Sequence, residues 1–131
     1  MSKYWTKSID KDQICTLKLD YPQKRVNILT ADVLNELGQL LDDIEKESTI
    51  KGVLFTSGKP GNFIAGADIN EIQGIENRED AVDKAKQGQV LFNRIEDLPF
   101  PTAALVDGSC MGGGLELALA CNFRLTTTNS K

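Results

Sequence analysis

One carboxylate, Glu116, stands where it could act as an acid or a base. It directly follows the segment 108–115 (GSCMGGGL), which comes after a short apolar run and opens a predicted helix. Helix N-termini present unpaired N–H groups and a partial positive charge, so they stabilise developing anions. Glu116 in the first turn is therefore either a partner of the helix dipole or a buried catalytic group, and its position alone favours the dipole role.

A second segment, Phe63–Ile69 (FIAGADI), also follows a predicted strand and has only small residues at its centre. Small side chains let a ligand approach the backbone closely and leave N–H groups pointing at it. An ordinary loop with a glycine turn is the alternative, and spacing alone favours that alternative.

Together the two segments indicate more than either does alone. Each follows a predicted buried strand, so both can lie at one sheet edge, where α/β proteins place ligands. Two facing N–H groups with a carboxyl nearby would form an oxyanion hole and a base. Such a site suits enolate chemistry on a thioester, with Glu116 handling a proton or a water.

The composition excludes several other kinds of site. The 131 residues include no histidine, which removes Ser-His and Cys-His nucleophiles, histidine metal ligands and a histidine base. The net charge is −4 and the lysines and arginines are scattered, so no nucleic-acid partner is expected. With 40% hydrophobic and 26% charged residues, the chain is typical of a globular domain rather than a disordered one.

Cys15, Cys110 and Cys121 form no CxxC pair, so neither a metal site nor a disulfide framework is predicted. We expect them to be small buried hydrophobes in a reducing, cytoplasmic setting. The N-terminus has no apolar core for a signal peptide, and no stretch has transmembrane length, so membrane insertion is not expected.

Apolar periodicity predicts the elements that would position these groups. The predicted strands are Tyr4–Ser8, Ile14–Leu19, Gly52–Ser57, Thr102–Val106 and Phe123–Thr127. The predicted helices run from the cap Thr30 to about Glu47, from after Asn77 to before Pro99, and over Leu115–Cys121. The segments Asp20–Leu29, 58–68 and 107–114 are predicted loops.

Two apolar stripes predict the buried helix faces. The first helix has Val33, Leu37, Leu40, Leu41 and Ile44, and the second has Val82, Ala85, Gln89, Phe92 and Ile95. Alternating strands and helices predict an α/β fold with mostly parallel pairing, in which Gly52–Ser57 and Thr102–Val106 are neighbours. Three helices are thin cover for such a sheet, so residues 1–131 are expected to be one domain that is incomplete at its C-terminal end.

The two glycine-containing motifs, FIAGADI and GSCMGGGLELALAC, resemble those of the crotonase (enoyl-CoA hydratase) superfamily in order, spacing and context. Within it the chain is most similar to the N-terminal hydratase part of the multienzyme alpha subunits of fatty-acid oxidation. The resemblance implies the N-terminal portion of a ββα spiral that binds acyl-CoA in β-oxidation. CoA would be part of the substrate, and no separate cofactor or metal is implied.

Motif positions imply the roles of individual residues. The N–H groups of Ala67 and Gly113 would form the oxyanion hole, and Glu116 would be the first of two catalytic glutamates. The substrate-binding residues implied are Ala65, Gly66, Ala67, Asp68, Ile69, Asn70, Gly112 and Gly113. Asp68 at a turn is expected to order the loop rather than to do chemistry.

The second glutamate of the family would lie beyond Lys131, so this chain is expected to be a weak hydratase. The implied reaction is addition of water to trans-2-enoyl-CoA. The alternatives are a double-bond isomerase, which can do without Glu116, and a non-catalytic acyl-CoA-binding or assembly fragment. Uncovered apolar faces around Leu115, Leu117, Leu119 and Phe123 lead us to expect a homo-oligomer, and the resemblance suggests a thiolase beta subunit as partner of a full-length parent.

Overall fold

A computed structural model describes residues 3–67 and 78–127 of the chain, in which strands and helices alternate. In chain order the elements are β1 (Trp5–Ile9), β2 (Ile14–Leu19), β3 (Ile28–Leu29), α1 (Ala31–Glu45), β4 (Gly52–Ser57), β5 (Asn62–Ile64), β6 (Gly66–Ala67), α2 (Arg78–Glu96), β7 (Thr102–Val106), β8 (Ser109–Cys110), α3 (Gly113–Ala120) and β9 (Phe123–Thr126). None of these helices is both long enough and apolar enough to cross a membrane.

The main sheet has five strands in the order β1-β2-β4-β7-β9. Only β1 and β2 are antiparallel, and every other neighbouring pair is parallel. Val53 of β4 is paired with Thr102 of β7. The predicted α/β class and the predicted parallel neighbours are both confirmed, with strand boundaries that differ from the prediction by at most one residue.

Helix α1 forms as its sequence predicts. The Thr30 hydroxyl accepts a hydrogen bond from Val33 N at 3.2 Å and caps the helix. All five residues of the predicted stripe are buried. The stripe packs on the sheet, and the ring nitrogen of Trp5 donates to the Val33 carbonyl at 3.1 Å.

Helix α2 presents a different face from the predicted one. Gln89 is exposed, whereas Leu91 and Ile95 are buried, so the predicted stripe is wrong at Gln89 and omits Leu91. The reason is the contact with α1, where a Cβ added to Gly38 would lie 3.3 Å from the Leu91 side chain. Asn77, the predicted cap, and the side chains of Val82 and Ala85 lie outside the described part of the structure.

The segments predicted as loops contain four short strands. β3 pairs in parallel with β6, and β5 pairs in parallel with β8. Helix α3 also begins earlier than predicted, at Gly113. The pairing of β5 with β8 brings the two glycine-containing segments together.

The outward face of α3 and β9 is apolar, as expected, except at one residue. Leu115, Leu119 and Phe123 are exposed, but Leu117 is buried because it is on the side of α3 that packs into the core. Whether this face mediates association stays a prediction.

The buried side chain of Asn27 joins the loop before β3 to the strands on either side. Its Oδ1 accepts from Tyr21 N at 2.9 Å, and its backbone N–H donates to Asn62 Oδ1 at 2.9 Å. Its Nδ2 is within hydrogen-bond distance of Leu19 O (3.0 Å), Phe63 O (2.9 Å) and Ser57 Oγ (2.8 Å). The residue is 0% exposed, so water cannot replace these partners.

We expect Asn27→Ala to lower the free energy of unfolding by about 3 kcal/mol, because it leaves several buried polar groups without partners. Asn35→Ala is the matched control, since the Asn35 amide is exposed and bonds only Gln87 among the described residues. Its effect should stay within about 0.5 kcal/mol. Urea denaturation measures both, and equal losses in the two variants would contradict the role given to Asn27.

Candidate active site

The two glycine-containing segments are direct neighbours. Ile64 of β5 is paired with Cys110 of β8, and Met111 N donates to Ile64 O at 3.2 Å. The expectation that both segments share one edge of the fold is therefore confirmed. This contact brings the backbone around Gly66 to the N-terminus of α3.

Glycine is required on both sides of this contact. Gly66 and Gly112 have φ angles of +123° and +54°, in the region that side chains disfavour. A Cβ on Gly112 would lie 3.7 Å from the Gly66 Cα. The two backbones therefore approach with no side chain between them.

Gly114 sets how closely α3 packs on β5. A Cβ at this position would lie 2.6 Å from the Ile64 Cβ and 2.8 Å from the Ile64 carbonyl oxygen. Both distances are too short for real atoms, so any larger residue would push the helix away from the strand.

Gly113 is the first residue of α3, so no preceding helical turn supplies a carbonyl oxygen to accept a hydrogen bond from its N–H. Gly114 N donates to Met111 O at 2.9 Å, and Glu116 N donates to Gly112 O at 3.1 Å. Among the described residues, the Gly113 N–H itself makes no hydrogen bond. It is therefore available to a ligand oxygen.

Of the remaining predicted binding residues, the structure describes Ala65 and Ala67. Ala67 is in β6, beside Leu29 of β3 and next to Gly66 in the chain. Ala65 is exposed, but its N–H donates to Asn27 O at 2.8 Å and so belongs to the framework. Asp68, Ile69 and Asn70 lie outside the described residues.

Glu116 is in the first turn of α3 and is exposed. The alternative of a buried carboxyl is therefore wrong for this chain, because α3 turns Leu117 and Ala118 towards the core and Glu116 away from it. The side chain borders a groove between α2 and α3, which it shares with Phe92 and Leu119.

Two residues that support the site were not predicted from the sequence. Asn27 bonds the Phe63 carbonyl, just before the segment that contains β6. The Leu29 side chain packs against Gly113, where an added Cβ would lie 2.9 Å from Leu29 Cδ1. The only local signal for Asn27 is a lone amide between Val26 and Ile28.

The environments of the three cysteines favour the protonated thiol. Burial raises the pKa of the Cys15, Cys110 and Cys121 thiols, for Cys121 to about 11. Cys15 and Cys121 are buried and Cys110 is half-buried. No three His, Cys, Asp or Glu side chains within the described ranges come together as a metal site.

Comparisons with known proteins agree on one family. The family profile for enoyl-CoA hydratase/isomerase matches residues 10–131. The chain is 46% identical over 129 residues to the fatty acid oxidation complex subunit alpha of Idiomarina loihiensis, and 50% identical over 128 residues to that of Aliivibrio fischeri. These matches cover 98% and 97% of this chain but only 18% of each relative.

Solved structures give the same result for the fold. An enoyl-CoA hydratase from Bacillus anthracis superimposes with a TM-score of 0.90 at 28% identity, over 98% of this chain and 49% of that protein. An enoyl-CoA hydratase from Geobacillus kaustophilus gives 0.91 at 28% identity, over 100% of this chain and 48% of that one. The expected crotonase-like α/β fold is confirmed, and the chain spans about half the length of these hydratases.

We expect Gly114→Ala to lower the free energy of unfolding by about 2 kcal/mol, because the new methyl collides with Ile64. Gly88→Ala in α2 is the control, since an added Cβ there meets nothing within 4 Å. It should raise stability by about 0.5–1 kcal/mol, the usual gain from replacing glycine within a helix. Thermal unfolding of both variants measures the two changes in stability, which should have opposite signs. An unchanged stability in Gly114→Ala would contradict the tight packing of α3 on β5.

We also expect all three thiols to react slowly with a disulfide reagent at pH 8 in the folded protein. Raised pKa values keep the thiols protonated, and the thiolate is the reactive form. Unfolding in urea should release three fast-reacting thiols, one each from Cys15, Cys110 and Cys121. Rapid reaction of a folded-state thiol would show a lowered pKa at that residue.

Proposed function

The chain belongs to the enoyl-CoA hydratase/isomerase family, and from that premise we propose that it acts in the addition of water to trans-2-enoyl-CoA, giving 3-hydroxyacyl-CoA. The observation that carries the proposal is the backbone contact between Gly66 and Gly112. It sets the free N–H of Gly113 beside the segment that contains Ala67. A thioester carbonyl oxygen bound there would accept hydrogen bonds from both backbones.

The chemistry needs this polarisation because attack of water on the β-carbon moves negative charge onto the thioester oxygen. Donors placed in advance stabilise that enolate, and one such donor is typically worth about 10² to 10³ in rate. The helix dipole of α3 adds to the stabilisation, since the N-terminus of the helix points at the developing charge.

Glu116 is the proposed acid/base. It follows Gly113 by three residues, so both lie on one side of α3. The carboxylate would take a proton from the water as its oxygen bonds to the β-carbon. The protonated Glu116 carboxyl would then deliver this proton to the α-carbon of the enolate, which completes the addition and restores the carboxylate.

The wider setting is proposed from the relatives. Their names place them in a fatty acid oxidation complex, so we propose an acyl-CoA thioester of that process as the substrate. CoA enters as part of the substrate, and no separate cofactor is needed for hydration. Assembly into a homo-oligomer and docking with a thiolase beta subunit are proposals for the whole protein.

A second candidate is acyl-CoA binding without turnover. One observation favours it: Glu116 is exposed and borders an open groove. Hydration places two acid/base groups around one water, whereas binding needs only the backbone donors and an apolar surface. The two candidates differ in whether crotonyl-CoA is consumed.

We expect Glu116→Gln to keep the affinity for crotonyl-CoA and to slow its hydration by about 10² to 10⁴, the usual contribution of one placed acid/base group. Loss of the enoyl-thioester absorbance measures turnover, and calorimetry with a saturated acyl-CoA measures binding. Glu96→Gln is the control, because Glu96 borders the same groove from α2 and has no proposed role in catalysis.

Near-normal turnover in Glu116→Gln would reduce Glu116 to a partner of the helix dipole. Binding of acyl-CoA by the unmodified chain with no turnover would favour the second candidate. Absence of any binding would overturn both candidates.

A further inference from the structure

Leu29 contacts both of the segments that supply the proposed oxyanion donors. It lies in β3, where its backbone is paired with Ala67 of β6. Its side chain packs against the start of α3, so closely that a Cβ added to Gly113 would lie 2.9 Å from Leu29 Cδ1. Leu29 therefore adjoins Ala67 through its backbone and Gly113 through its side chain.

The position of Leu29 is itself well defined. The residue is 7% exposed and belongs to the main hydrophobic core. On one side of it in the chain, the Asn27 carbonyl accepts from Ala65 N at 2.8 Å, and on the other side Thr30 caps α1. Because protein cores are densely packed, the Leu29 side chain has little room to withdraw from Gly113.

The contact with Leu29 limits how far the start of α3 can move towards β3. The tight packing of Gly114 on Ile64 limits the same end of the helix from β5. A backbone donor stabilises an oxyanion when its nitrogen is about 2.7–3.1 Å from the oxygen, and a displacement of about 0.5 Å is enough to spoil that geometry. A side chain that fixes the start of α3 therefore also controls the strength of the Gly113 donor.

We propose that Leu29 is a positioning residue, which sets the distance between the backbone donors of Ala67 and Gly113. The inference rests on the proposed function, because it takes these two segments as the binding site of the thioester oxygen. It adds to that site an apolar residue that acts through its neighbours. Leu29 contributes no atom to the chemistry.

An exchange of size between Leu29 and Gly113 tests this role. Gly113→Ala sets a methyl against Leu29 Cδ1 and should push the start of α3 away from β3. Gly113 does not have the positive φ angle of Gly112, so alanine meets no backbone strain there. Leu29→Val shortens the side chain and removes the support. In the double variant the shorter valine leaves room for the new methyl, so the donor should return close to its original position.

The readout is the carbonyl stretching frequency of bound hexanoyl-CoA that carries ¹³C at the thioester carbonyl, measured by difference infrared spectroscopy. Hydrogen bonds to the oxygen weaken the C=O bond and lower this frequency. Gly113→Ala and Leu29→Val should each lose about half of the shift, because one of two donors is displaced. Each should also weaken binding about fivefold, the effect of one neutral hydrogen bond, and the double variant should regain most of both losses.

Leu40→Val is the matched control. Leu40 of α1 is 7% exposed, like Leu29, but it lies about 15 Å along the helix from the cap Thr30. Both leucine-to-valine changes remove one buried methylene and should lower the unfolding temperature by similar amounts. A loss of the carbonyl shift that is confined to Leu29→Val therefore comes from the place of Leu29 beside the donors.

Thermal unfolding without ligand is a second measurement, which also shows whether each variant is folded at the temperature of the spectra. The loss of stability in the double variant should be smaller than the sum of the losses in Gly113→Ala and Leu29→Val, because the two side chains compete for one space. Additive losses would overturn the contact on which the proposal depends.

The outcomes separate the role of Leu29 from the proposed function. A shift that both single variants reduce, the double variant regains and Leu40→Val retains supports the role. A shift in the unmodified chain that Leu29→Val preserves, or that the double variant does not regain, overturns the role and leaves the proposed function standing. Hexanoyl-CoA that binds the unmodified chain without any carbonyl shift, or no more tightly than CoA, overturns both.

Discussion

The close approach of two backbones, at Gly66 and Gly112, is the constraint on which the site depends. A side chain at either position would strain the backbone, because the φ angles of Gly66 and Gly112 are +123° and +54°. A second close contact lies next to it in the chain, because Gly114 lets helix α3 pack directly against Ile64 of β5. The free N–H of Gly113 is thus held by backbone geometry, which reorganises little when charge develops on a bound oxygen.

Buried polar groups connect this contact to the main sheet. Asn27 bonds the ends of β2 and β4 and the backbone of Phe63, so it links the short strand β5 to two strands of the main sheet. Leaving such groups unpaired away from water is costly, and the cost favours one arrangement of the loop. The site is therefore linked to the main sheet by buried hydrogen bonds, although its residues lie in segments between the long strands.

Helix α3 combines several roles in one rigid element. Its N-terminus offers the Gly113 N–H, its first turn carries Glu116, and its second turn forms a wall of the groove with Leu119. The helical rise sets the distances among these groups, so the proposed sites for the carbonyl and the proton keep a constant order. The opposite side of the helix, with Leu117, anchors it in the core.

The sequence by itself determined the long elements and the family. The apolar period of α1 and the runs at Gly52–Ser57 and Thr102–Val106 predicted helix and strands correctly, since these patterns act locally. Tertiary structure alone decided the two-residue strands such as Ile28–Leu29, the burial of Leu91 instead of Gln89, and the exposure of Glu116. Each of these depends on which surface a distant segment offers, and no local period encodes that contact.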